Sequence, residues 1–330
     1  MTEKENLIDI AILRCFATIS LVVWHTYCSY ICWDVADTPA NQLYRMVFTR
    51  IIPDANMPLF TILAGYLFHY LFVEKGKYQN FKKFLHNKIN RLLIPFLVLG
   101  TAMNLTQYGK AITDIIYGVP NHLWYCLMLF YVYIAFWLIE QYCGTKVNKI
   151  LSIFSLVLVT IVGLGAISHR VIGGLFIPAY YYCYFFFGFY FRKNIKKWKL
   201  LNGKYTIILV ITVYLFSTID QHLIALTSIS YFLLLYTLVN TLVFSTHLNK
   251  RRELTDHINM FCKYSFGIYV FHQYILWNLT REPHCLLYIK PLLEKYYIIA
   301  PIILVMMVLS ISYLLTHYSL KTKLGRFLLL

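Results

Sequence analysis

Two residues near the N-terminus have the types and the spacing to do chemistry. The stretch Asn6–Cys28, NLIDIAILRCFATISLVVWHTYC, is apolar enough to cross a membrane, yet it carries Arg14 near one end and His25 towards the other. An Arg in such a segment costs roughly 2.5–3.5 kcal/mol to insert, so its presence asks for a reason. The two residues are eleven apart, close to three whole turns of a helix with about 3.6 residues per turn. One helix face therefore presents a permanent cation and a titratable imidazole, separated by about 16 Å along the axis. A guanidinium is a planar fork suited to phosphate, and a neutral imidazole can take a proton near neutral pH. The pair fits a long ligand with phosphates at one end and a reacting group at the other. A snorkelling Arg beside a core His is the plain structural alternative.

A membrane scaffold must position these side chains, and the composition predicts one. Of 330 residues, 59% are hydrophobic, 18% aromatic and only 13% charged, against roughly 25% charged in soluble domains. Apolar runs long enough to span a bilayer recur from end to end. The pattern predicts an all-α polytopic membrane protein, one domain over residues 1–330. The expected spans are approximately 7–31, 46–73, 90–108, 122–141, 149–167, 173–191, 205–221, 224–246, 262–280 and 298–319. With the N-terminus inside, 22 of the 30 Lys and Arg residues fall on the inner side, seven on the outer side, and Arg14 within a span. That asymmetry is the positive-inside rule, so both termini are expected in the cytoplasm. The net charge of +16 is thereby explained by topology, without a nucleic-acid partner. The first span is not a cleaved signal peptide, because MTEKEN is not basic and Arg14 interrupts the apolar run. The eight cysteines form no C-x-x-C pair, which implies neither a disulfide framework nor a metal site.

Further along, Pro53 and Pro58 bracket Asp54 and Asn56 at the outer end of the second span. Irregular backbone with polar side chains at that depth suits a cavity wall, with an ordinary loop-to-helix junction as the alternative. Phe81, Phe84 and Leu85 recur at helical spacing among lysines, predicting an amphipathic helix on the inner membrane surface. His122 and Trp124 open the fourth span, the latter as part of an interfacial aromatic belt. The sixth span, IPAYYYCYFFFGFYF, is almost wholly aromatic. His272 sits mid-membrane in the ninth, where an ionisable residue leans towards function over simple bonding to a neighbouring carbonyl. Phosphate-binding glycine loops, G-x-S-x-G and H-E-x-x-H are absent from the sequence, which argues against ATP-driven and metal-dependent chemistry. His69 and Glu74 have the spacing of an H-x4-D acyltransferase box with Glu for Asp, a single weak match among eleven His.

Five stretches taken in order carry more weight than any one of them. IDIAILRCFATISLVVWH with its R-x10-H, MPLFTILAGYLF, NRLLIPFL, HLWYCLMLF and SFGIYVFH together resemble the integral-membrane acyltransferase family 3, which includes bacterial polysaccharide O-acetyltransferases. The resemblance implies transfer of an acyl group, usually acetyl, from acyl-CoA as co-substrate, with no tightly bound cofactor and no metal. The acceptor it implies is a hydroxyl of a cell-surface or lipid-linked glycan, at the bacterial plasma (inner) membrane, where polysaccharide-assembly proteins are possible partners. It carries the family's required Arg and His onto Arg14 and His25. Two routes fit: His25 as general base, or His25 acylated from the cytoplasmic side and passing the group outward. His122, Tyr269 and His272 fall on motif positions, and with Asn56 and Trp124 are expected at the acceptor pocket. Asp54 is the expected acidic group, orienting a histidine or binding the sugar. Arg91, Arg192, Arg251 and Arg252 are expected second contacts for CoA phosphates, although topology alone also accounts for them. The rival from another class is a secondary transporter or flippase of a glycan or lipid precursor. Its usual paired broken helices find no second-half counterpart to the proline-broken second span.

Overall fold

The computed structural model describes residues 7–48, 56–108, 122–163, 176–195, 208, 210–215, 223–246 and 252–329, and among them every regular element is helical. In chain order the helices are α1 (Ile8–Ile31), α2 (Asn41–Met46), α3 (Asn56–His69), α4 (Phe81–Lys88), α5 (Ile94–Met103), α6 (Trp124–Tyr142) and α7 (Thr145–Gly163). There follow α8 (Phe176–Lys193), α9 (Ile224–Ser245), α10 (Arg252–Thr280), α11 (Pro283–Lys295), α12 (Ala300–Ser319) and α13 (Lys323–Leu329). Three π-helical turns, Tyr70–Glu74, Ile89–Leu93 and Asn104–Tyr108, extend α3, join α4 to α5 and extend α5. Six helical stretches among the described residues are long and apolar enough to cross a membrane. The protein is an all-α, multi-pass membrane protein. The expected spans 149–167, 173–191 and 262–280 fall on α7, α8 and α10, while 205–221 lies largely outside the described residues.

The chain forms two compact units, residues 1–56 with 238–330, and residues 57–237. In the first, α1, α10 and α12 pack on one another. Val22, Tyr264, Ile268, Leu276, Leu304 and Val308 form their shared apolar contact. Gly267 allows α10 and α12 to approach closely, since a Cβ there would lie 2.4 Å from the Thr316 side chain. Small residues at helix crossings are the usual device where lipid supplies no hydrophobic drive for association. The short α2 and the unpredicted α11 cover one end, where Tyr30, Ile31, Tyr44 and Leu293 cluster. The Tyr44 hydroxyl donates to the Tyr297 carbonyl there.

In the second unit α3 and α8 meet through a reciprocal glycine contact. A Cβ on Gly65 would lie 2.0 Å from the Phe185 carbonyl oxygen, and one on Gly188 would lie 1.9 Å from that of Ile62. The aromatic span forms the core beside it: its Phe185 and Phe189 are fully buried with Phe68, Phe84 and Phe136. The lysine-flanked stretch at residue 81 is helical as expected but does not form a separate surface helix. The Asn80 side chain caps α4 by accepting from the Lys83 amide at 3.0 Å, and the helix runs on through the π turn into α5. Its Phe84 is 0% exposed and packs among Phe68, Tyr78, Tyr133 and Trp137. Aromatic neighbours from the protein take the place of lipid.

Candidate functional site

Three hydroxyls of α1 bond within the helix. Thr18 donates to the Arg14 carbonyl (2.9 Å), Thr26 to that of Val22 (2.8 Å) and Ser29 to that of Thr26 (2.6 Å). Such local bonds suit an apolar surrounding, where an unmet polar group is costly. The long polar side chains turn instead to α10. Arg14 lies near the Cys262 thiol, and the Cys15 thiol contacts the Ile258 carbonyl at 3.6 Å. Eleven residues on from Arg14 and ten on from Cys262, His25 Nδ1 lies 2.8 Å from His272 Nε2. The helices therefore run parallel and in register, and the expected common face of Arg14 and His25 is the face against α10.

The imidazole pair sits in a defined setting. His25 is half-buried and His272 is 0% exposed. The second ring nitrogen of His272, Nδ1, is 2.7 Å from the Tyr269 carbonyl and 3.2 Å from that of Ile268. The two rings have centroids 5.0 Å apart and planes inclined by only 19°. With the facing nitrogens 2.8 Å apart, they meet edge to edge rather than face to face. Tyr269 is buried, its ring 6.1 Å from that of His272. Beside the two histidines in the chain, the Trp24 indole nitrogen and the Gln273 side-chain oxygen are buried without a hydrogen-bond partner among the described residues. Native interiors seldom leave such groups unmet, so they add hydrogen-bonding capacity suited to a polar ligand.

The other expected residues are distributed differently. Asp54 and Arg251 lie outside the described residues, as does the side chain of Arg252. Asn56 is buried at the start of α3. His122 is half-buried in the turn before α6, and Trp124 packs against Tyr181 with ring centroids 5.6 Å apart. Arg91 is exposed on the π turn between α4 and α5. Arg192 is 5% exposed. Its Nε and Nη2 donate to the two carboxylate oxygens of Glu74 at 2.7 and 2.6 Å, and its Nη1 to the Tyr66 hydroxyl at 2.9 Å. Glu74 Oε1 also lies 3.2 Å from His69 Nδ1. Sequence reasoning gave Arg192 as a candidate contact for CoA phosphates, and it missed Glu74 as its partner. The available signal was a lone carboxylate at the end of an apolar span.

Among the described residues no group of three or more His, Cys, Asp or Glu could hold a metal ion. The chain matches the family of the acyltransferase domain over residues 7–317. No curated protein and no solved structure gives a match. The family match takes in α1 through most of α12, and with it both histidines of the α1–α10 contact. This multi-pass membrane protein therefore belongs to acyltransferase family 3 and is an acyltransferase.

Proposed function

We propose that the protein moves an acyl group, acetyl in the first instance, from acyl-CoA to a hydroxyl of a cell-surface or lipid-linked glycan at the bacterial plasma membrane. The observation that carries this reading is the shared face of α1, where Arg14 and His25 both turn to α10. Arg14 would bind CoA phosphates as a planar fork. The pantetheine arm would then bring the thioester along the helix towards His25. There His25 would act as general base for the acceptor hydroxyl, or accept the acyl group and pass it on. Trp24 and Gln273 offer a donor and an acceptor to a sugar.

The test is acetyl-CoA binding and free-thiol release by the purified full chain in detergent, wild type beside Arg14→Ala and His25→Ala. Binding that needs Arg14, with slow thiol release that needs His25, is the expected result. A folded wild type that neither binds acetyl-CoA nor releases thiol contradicts the reading.

A further inference from the structure

Resting on that reading, we propose that His272 is a positioning residue that fixes the tautomer of His25, making Nε2 of His25 the nitrogen that takes the acceptor's proton. The argument starts from two backbone oxygens. The carbonyls of Tyr269 and Ile268 can only accept, so His272 Nδ1, at 2.7 and 3.2 Å, carries the hydrogen. A neutral imidazole has one N–H, so His272 Nε2 holds a lone pair. The 2.8 Å contact is then a hydrogen bond in which His25 Nδ1–H donates to His272 Nε2. The lone pair of His25 lies on Nε2.

The rings' near-common plane supports that assignment, because an N–H donates in the plane of its own ring and a ring lone pair accepts in the plane of the other. The layout matches a catalytic triad, in which a third group holds the base's Nδ1–H so that Nε2 faces the nucleophile. Here the third group is an imidazole anchored on two helix carbonyls.

In the transfer step the acceptor O–H gives its proton to His25 Nε2 while its oxygen bonds to the thioester carbonyl carbon. As the C–S bond breaks, the departing CoA thiolate takes that proton from Nε2, which restores neutral His25. While His25 is protonated, its Nδ1–H bond to His272 becomes charge-assisted and stronger.

The test joins a spectroscopic and a kinetic readout on the full chain in detergent micelles. In ¹⁵N-histidine-labelled wild type, His25 should show the Nδ1–H tautomer, identified by loss of its signals in His25→Ala. In His272→Leu that population should shift towards Nε2–H. Thiol release from acetyl-CoA should fall at least about 100-fold in kcat in His272→Leu, with KM for acetyl-CoA little changed. His272→Gln, whose side-chain oxygen can accept near the place of Nε2, should recover activity to within about tenfold of wild type. Wild-type His25 in the Nε2–H form would overturn the proposal. So would Leu and Gln variants that lose activity equally while remaining folded. An inactive wild type that shows the Nδ1–H tautomer and its shift in His272→Leu would uphold the His272 clamp and remove only the acyl-CoA reading.

Discussion

Two polar clusters sit within this apolar helical protein, and they are built in opposite ways. In residues 57–237, Arg192 is held by both oxygens of Glu74 and by Tyr66, with the Tyr66 and Tyr70 rings 5.3 and 5.1 Å from its guanidinium. Opposite charges are matched there by a bidentate bond, and the geometry is that of a structural tie. At the α1–α10 contact, two imidazoles share one hydrogen bond. That pair joins two bases, whose chemistry is proton transfer. Intramembrane polarity is thus not itself the mark of function. A saturated ion pair resists change, whereas a neutral hydrogen-bonded pair of bases can gain and lose a proton at little structural cost.

That contrast can be broken most forcefully at His25. His25→Ala should lower acyl transfer by about 10³-fold, within the range for loss of a general base, with membrane insertion and thermal stability retained. Retained transfer would place the chemistry elsewhere. At the other cluster, Glu74→Gln should act on stability. Breaking a buried ion pair costs about 3–5 kcal/mol, and the one-third exposure of the Glu74 side chain brings the expectation down to roughly 2–3 kcal/mol. Thermal unfolding in detergent reads this loss, and activity per folded molecule should hold. If instead the melting point stands and the KM for acetyl-CoA rises, this cluster belongs to the donor site.

Arg14→Lys sharpens the comparison from the donor side. Replacing a planar fork with a point charge should raise the KM for acetyl-CoA about tenfold and leave acceptor KM nearly unchanged, as steady-state kinetics with each substrate varied would show. Equal losses for both substrates would make Arg14 structural. The smallest expected effect is that of Tyr66→Phe, which removes one hydrogen bond to Arg192. A hydrogen bond to a charged group contributes about 1.5–3 kcal/mol, and the two remaining bonds to Glu74 should limit the loss to about 1 kcal/mol. Thermal unfolding of the single and the Glu74→Gln double variant would show whether the two interactions are coupled.

The parts of this design that depend on near neighbours were legible in the sequence. Helical periodicity alone put Arg14 and His25 on one face of α1, and both turn to α10. The ordered stretches around them pointed to the family that the match over residues 7–317 shows. Partners far apart in the chain were not legible. His25 and His272 are 247 positions apart, and Glu74 and Arg192 are 118 apart, so no local pattern could join them. Asp54, expected to orient a histidine or bind the sugar, lies outside the described residues. The amphipathic pattern at Phe81–Leu85 gave the right conformation but not the neighbours of Phe84, because periodicity reveals an apolar face without naming what covers it. Helix α11 escaped notice because it is too short and too polar to read as a span. Its Leu286, Ile289 and Leu293 nevertheless pack against the end of α1.

The most direct measurement compares thiol release from acetyl-CoA by His25→Ala and Glu74→Gln, each normalised to the fraction of protein that remains folded. The imidazole pair as the reacting centre predicts near-complete loss for His25→Ala and an almost unchanged rate for Glu74→Gln. Equal losses in the two variants, or a His25→Ala protein that works at the wild-type rate, would contradict it.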